Sequence, residues 1–135
     1  MLVERRGIPL SVGLSAANCA DCLTLEAMLD AVEPIRRPLG RPRKRPDKLH
    51  ADKAYDAAHC RAACRRRGIT PRIARRGIDS SERLGRYRWV AERTLGWLGR
   101  YRRLRVRDER LADIHLAFLQ LGCALICLNF WLARF

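Results

Sequence analysis

Two carboxylates stand out by type and position. Asp52 closes the short alternating run Lys48–Ala51, and Glu92 is the only acid in the arginine-rich stretch Arg86–Arg107. A carboxylate at the end of a strand and another on a helix can hold Mg²⁺ while a substrate phosphate completes the shell. Two such ions about 3.5–4 Å apart activate a nucleophile and stabilise a leaving oxygen in phosphoryl transfer. Strand ends are where α/β sheets build such sites. Taken alone, Glu92 reads more readily as half of a surface ion pair than as a catalyst.

The elements that must position them follow from periodicity. At 3.6 residues per turn, Tyr87, Val90, Ala91, Thr94, Leu95, Trp97, Leu98 and Tyr101 fall on one side of a helix, the side expected to face a core. Glu92 points the other way, with Arg88 one turn before it and Gly96 one turn after. Gly99 and Arg103 are expected to continue that polar face. Each glycine costs about 1 kcal/mol against alanine inside a helix. Beside Glu92, both remove bulk where a ligand could approach.

Upstream, Met1–Val3 and Pro9–Leu14 read as a β-hairpin turning at Arg6-Gly7. A hairpin needs a further strand to make a stable sheet, so a partner strand is expected before it. Thr24–Val32 is amphipathic, with Asp21 as its expected N-cap rather than an active-site acid. From Glu33 to Asp47 there are four prolines, and seven cations counting Lys48 just beyond. Within this loop, Gly40–Lys44 resembles an AT-hook core, in which an extended Arg-Pro segment enters an A·T minor groove. The simpler reading has Arg41, Arg43 and Lys44 contact the phosphate backbone. Ala57–Arg67 reads as a helix ended by Gly68, followed by a strand at Ile69–Ala74. Arg75–Ser81 then forms a loop in which Ser80 or Ser81 can cap the next helix. Leu111–Phe135 is a long apolar helix, expected to pack on the sheet or at a dimer interface rather than to span a membrane. His115 on it reads as a structural group.

The composition bounds the partner. The chain has 135 residues, enough for one domain with a real core, and a formal charge of +14. Such an excess favours a polyanion, with nucleic acid first, and arginine suits bidentate phosphate contacts. Charge gives a partner class and no activity. Glu4, Arg5 and Arg6 break the apolar run that a secretory leader needs, and a cytoplasmic location is expected. Six cysteines form the pairs Cys19/Cys22, Cys60/Cys64 and Cys123/Cys127, read as free thiols in preference to a zinc site.

Asp52–Asp56, Asp-Lys-Ala-Tyr-Asp, resembles the second-aspartate motif of bacterial insertion-sequence DDE transposases. Arg88-Trp-Val-Ala-Glu92 resembles their arginine-x-x-x-glutamate signature. Gly68–Gly77 and Ala112-Asp-Ile-His-Leu-Ala-Phe-Leu are similar to insertion sequence family five. The resemblance runs from about Gly7 to Asn129. It implies a ribonuclease H-like α/β fold, a mixed sheet with flanking helices, that uses Mg²⁺ or Mn²⁺ to cleave and join double-stranded DNA at transposon ends.

Residue by residue, the resemblance places catalytic metal ligands at Asp52 and Glu92. It has Arg88 either contact DNA or orient Glu92. Arg93, Arg100 and Arg103 join Arg41, Arg43 and Lys44 as candidate DNA contacts. The tyrosine expected three residues before Arg88 falls at Gly85, a departure from the pattern. The family's first aspartate lies on a strand upstream of the hairpin, and Glu4 does not replace it. The chain is therefore expected to be the C-terminal part of a catalytic domain, residues 1–135, with the basic loop 33–48 inside it. Metal binding would be weakened and transposition in isolation lost. The alternative is a non-catalytic DNA-binding remnant, or an inhibitor pairing with full-length transposase.

Overall fold

In a computed structural model of the chain, residues 1–36, 38–77 and 85–133 are described, those at 85–88 by their backbone alone. They form two compact units, Met1–Leu14 with Trp89–Phe135, and Ser15–Arg88. The secondary structure is α/β, as expected. The described strands make two separate pairs rather than one mixed sheet, one antiparallel and one parallel.

In the first unit, β1 (Leu2–Val3) pairs antiparallel with β2 (Pro9–Ser11). The turn centres on Arg5-Arg6, one residue before the expected Arg6-Gly7, and Gly7 closes it at φ +88°. Glu4 anchors it, since its Oε1 accepts from the Arg6 N–H at 2.7 Å and its carbonyl accepts from the Gly7 N–H at 2.8 Å. The helix carrying Glu92, α3 (Gly85–Leu98), belongs to this unit from Trp89 onward. Thr94 and Leu98 are buried on the expected face, and Val90, Ala91, Trp97 and Tyr101 are half-buried. Leu95 departs from it, 55 % exposed. It lies about 100° around the helix from Thr94, at the margin of the apolar stripe.

The expected single helix through Arg107 is broken after Leu98. Gly99–Tyr101 make a turn, and a short α4 (Arg102–Arg105) follows. Gly99 is the best stop signal in the segment, so its two sides share no continuous polar face. Arg103 does not extend the Glu92 face. The last helix, α5 (Ala112–Leu132), packs by its buried Gly122, Cys123 and Ile126. With Leu98, Cys123 and Ile126 form a core joined by Met1, Val12, Trp97, Tyr101, Leu104, Leu119 and Phe130. A Cβ at Gly122 would lie 2.9 Å from Leu98 Cδ2 and 3.0 Å from Leu104 Cδ1, so this position admits no side chain without repacking.

The second unit begins with α1 (Asp21–Asp30), three residues earlier than expected. Ala20, not Asp21, holds the N-cap position, and no side chain caps it. Asp21 sits in the first turn, where its charge still suits the helix dipole. Thr24 Oγ1 donates to the Asp21 carbonyl at 2.8 Å. Then come β3 (Lys48–Ala51), a 3-10 turn (Lys53–Tyr55), α2 (Ala58–Arg66) and β4 (Thr70–Ile73). β3 and β4 run parallel in the register Lys48↔Thr70 to Ala51↔Ile73. A parallel pair needs a crossover, and α2 supplies it. Leu25, Leu29, Leu49, Cys60, Ala63, Cys64, Ile69 and Ile73 fill the core. All six cysteines are free thiols. Burial pushes the Cys60, Cys64, Cys123 and Cys127 thiols up, which makes them poor nucleophiles.

Candidate active site and nucleic-acid interface

Asp52 stands immediately after β3, at the carboxyl end of the parallel pair. Its backbone is extended, and it caps the following 3-10 turn: Oδ1 accepts from the Lys53 N–H at 2.5 Å. The residue is half-buried. This is the placement that the alternation of Lys48–Ala51 implied.

The motif's second acid, Asp56, has a different task that the sequence did not disclose. Its Oδ1 accepts from Arg61 Nη2 at 2.6 Å and its Oδ2 from the Arg76 N–H at 2.8 Å. Arg61 also donates to the Ile73 carbonyl at 3.0 Å, and Arg76 Nε to the Lys53 carbonyl at 3.1 Å. Asp56 thus braces the segment after β4 against the turn that holds Asp52. The Arg61 guanidinium, with the Arg76 N–H second, keeps its carboxyl below the ordinary range.

Glu92 lies on the exposed face of α3. One turn on, Gly96 has open space where a Cβ would stand. Gly99 instead ends the helix. The Arg88 side chain, like Tyr87, lies outside what is described, as do Ser80 and Ser81.

Of the six other basic residues singled out, Arg41, Lys44, Arg100 and Arg103 are exposed and Arg43 and Arg93 half-buried. Arg43 exchanges backbone hydrogen bonds with Ile35 at 2.8 Å each way, closing the basic segment into a loop rather than the extended thread of an AT-hook. Its guanidinium pairs with Asp47 and donates to the Arg45 carbonyl at 2.6 Å. Arg41 and Lys44 are exposed beside it, and Arg100 is exposed after α3. Arg103 is bonded to Glu109 at 2.8 Å, with its guanidinium 5.5 Å from the Phe118 ring centroid.

The basic loop lines a groove of about 930 Å³ with Asp30, Arg67 and Ile69 among its other walls. Arg67 is committed there: it grips Asp30 at 2.9 and 2.7 Å and Glu26 at 2.9 Å. Arg66 adds a bond to Glu26 at 2.8 Å.

Arg93 is the more informative cation. Its guanidinium lies 4.4 Å from the Trp89 ring centroid and 4.8 Å from that of Trp97, and Nη2 donates to the Arg6 carbonyl at 2.6 Å. Arg5, Arg6, Trp89, Arg93, Trp97 and Phe130 surround a concavity of about 400 Å³ on this unit. Stacked guanidinium and indole faces suit nucleotides, through phosphate contact and base stacking. Sequence reasoning assigned Arg93 to DNA but missed Trp89 and the hairpin arginines. Arg88-Trp89 and Arg93 at helical spacing were the available signal.

The acids of the second unit give it a pH dependence. Arg67, with Arg66 second, lowers Glu26 from its ordinary 4.5, and Arg67 lowers Asp30 from 3.8. Their folded values lie below their unfolded ones, so their stabilisation, like that of Asp56, is complete above the ordinary carboxylate range. It is lost as pH falls through the folded values. Burial, then the charges of Arg72 and Lys48, lowers His50 from 6.5, which sets the same sign with an earlier onset. A urea midpoint measured from pH 7 to 3 is expected to fall below pH 6.5 and more steeply below 4.5. Arg67→Met should flatten the lower part of that curve.

Among the described residues, no three His, Cys, Asp or Glu side chains are grouped to hold a metal ion. The two candidate ligands are both carboxylates, the hard-oxygen donors that Mg²⁺ or Mn²⁺ takes. As donors they fit.

No solved structure matches the chain. The family model described as the transposase DDE domain matches residues 1–130. A Burkholderia cepacia protein named "Putative transposase for insertion sequence element IS402" is 49 % identical over 129 residues, 96 % of this chain and 61 % of that protein. The chain thus spans about three-fifths of the length of the curated relative it matches. With a domain match along nearly its whole length and a relative at this level of identity, the chain belongs to the bacterial insertion-sequence transposases of the DDE-domain family.

Proposed function

We propose that the chain supplies Asp52 and Glu92 to a DNA cleavage and strand-transfer site acting at transposon ends. The observation that carries this is Asp52 at the carboxyl end of the parallel β3–β4 pair, where its carboxylate caps the turn that follows the strand. The proposed frame is ribonuclease H-like, with residues 1–135 its C-terminal portion and a first aspartate supplied from outside these residues. When bound, Mg²⁺ or Mn²⁺ would activate the attacking oxygen and stabilise the leaving one. Asp52 and Glu92 would hold it. Arg88 would contact DNA or orient Glu92, while Arg41, Lys44 and Arg100 take phosphates. Arg93 would act with its two tryptophans, and Arg43 and Arg103 would shape the surfaces around them. The protein would work in the bacterial cytoplasm at the nucleoid, paired with a second copy or with full-length transposase.

The test is strand cleavage of labelled transposon-end DNA with Mg²⁺ or Mn²⁺. It compares this chain with a version joined in frame to the upstream part of a full-length relative. Cleavage by the joined version only, lost with Glu92→Gln, is the expected result. Binding without cleavage by both would replace it with a DNA-binding remnant or an inhibitor. Cleavage by the short chain would show that the third ligand lies within it.

A further inference from the structure

The helix α5 carries two faces, and only one is used. Gly122, Cys123 and Ile126 are buried against the first unit's core. On the opposite side Ile114, Ala117, Leu121, Ala124, Leu128 and Trp131 are all exposed. Their spacing alternates three and four residues without a break, the seam of a coiled coil. Leu125 and Leu132, 37 % and 54 % exposed, widen the stripe, while the exposed polar residues Gln120 and Asn129 lie at its two margins.

We propose that this stripe is a self-association surface, on which the α5 helices of two copies pack antiparallel. Three observations select a second copy. The stripe is self-complementary only in that direction. Large residues stand at 114, 121 and 128 and alanines at 117 and 124, so a parallel pair would stack large on large and leave alanine layers empty. An antiparallel pair with its two-fold axis between Gly122 and Cys123 sets Leu121 against Ala124 of the partner subunit. The same axis sets Leu128 against Ala117 of the partner subunit, and Ile114 against Trp131 of the partner subunit. Large then meets small in the central layers, as a dense seam requires.

The charge permits it. No Lys or Arg occurs between Ala112 and Leu132 in a chain with 28 such residues, so the pairing brings no cations together in the seam. The area suffices, since eight exposed residues offer on the order of 650 Å² per copy, or about 1,300 Å² for the pair, within the range of specific interfaces. The helix is also long and apolar enough to cross a membrane, with a mean hydropathy of 1.7. Its opposite face, however, is already committed to Leu98, Tyr101 and Leu104 through Gly122.

Sedimentation velocity on the full 135-residue chain tests this. A salt concentration near 0.5 M suppresses repulsion between the +14 copies. A dimer at micromolar concentration is expected, with its dissociation constant raised at least about a hundredfold by Leu121→Glu, which sets like charges close together. Ala124→Trp, harmless on an exposed monomer face, should have the same effect by overfilling the layer. Far-UV circular dichroism reports that each variant is folded. Oxidative cross-linking of an Ala117→Cys chain with a Leu128→Cys chain, followed by peptide mapping, should outrun Ala117→Cys with itself. A folded monomer at 100 µM, a dimer indifferent to both seam variants, or flotation with phosphatidylglycerol vesicles in place of dimerisation would each overturn the proposal. So would preferred cross-linking of position 117 to itself, which a parallel pair gives.

Discussion

Asp52→Asn is expected to abolish metal-dependent strand cleavage in the joined protein while leaving the folding of this chain nearly untouched. Asparagine keeps an oxygen where Asp52 Oδ1 accepts the Lys53 N–H, so the turn after β3 loses little. The change in unfolding free energy should stay within about 0.5 kcal/mol, as for a substitution that breaks no packing. The loss of cleavage should exceed the roughly 10–100-fold typical of an outer-shell partner of a metal ligand. Asp56→Asn, four residues on, should do the opposite. It discharges the partner of Arg61 and weakens the strut from Arg76, so the urea midpoint falls, and by more than with Glu26→Gln on the exposed helix face. Cleavage should drop only as far as the folded fraction drops. Parallel denaturation curves and cleavage rates for the two variants separate the roles. Equal loss of stability for both, or a cleavage defect in a fully folded Asp56→Asn chain, would contradict the assignment.

That contrast marks how far the sequence could be read. Strand Lys48–Ala51, the crossover helix and strand Thr70–Ile73 were legible because alternation, helical period and Gly68 all agree locally. The hairpin turn was legible to within one residue for the same reason. The bracing role of Asp56 was not, because its partners Arg61 and Arg76 are chosen by the fold and could have been any of many arginines. The break at Gly99 was hidden by helical spacing that continues across it, from Trp97 and Leu98 to Tyr101 and Leu104. The final helix was legible as apolar, but composition could not show which face packs. That needed the position of Gly122 against Leu98 and Leu104.

The second large effect is expected from the smallest side chain in the hairpin. Gly7 has φ +88°, and a Cβ there would lie 2.8 Å from Thr94 Oγ1, 3.1 Å from Arg93 Nη2 and 3.2 Å from Trp97 Cζ3. The crowding has a purpose. Thr94 Oγ1 donates to the Gly7 carbonyl at 2.8 Å and Arg93 to the Arg6 carbonyl at 2.6 Å, so the two residues after Glu92 clamp the hairpin turn to α3. Gly7→Ala should therefore combine the strain of a left-handed alanine with overpacking against a fully buried threonine, about 3 kcal/mol together. Gly40→Ala isolates the first contribution. Its φ is +89° but nothing lies within 4 Å, so it should cost only about 1 kcal/mol. Thr94→Val keeps the shape and removes the donor to the Gly7 carbonyl, at a cost of about 1–2 kcal/mol. Urea unfolding followed by tryptophan fluorescence reads all three, since Trp97 borders the clamp. If Gly7→Ala proves no worse than Gly40→Ala, the hairpin does not dock as closely as these distances require, and the clamp beside Glu92 is not what fixes α3.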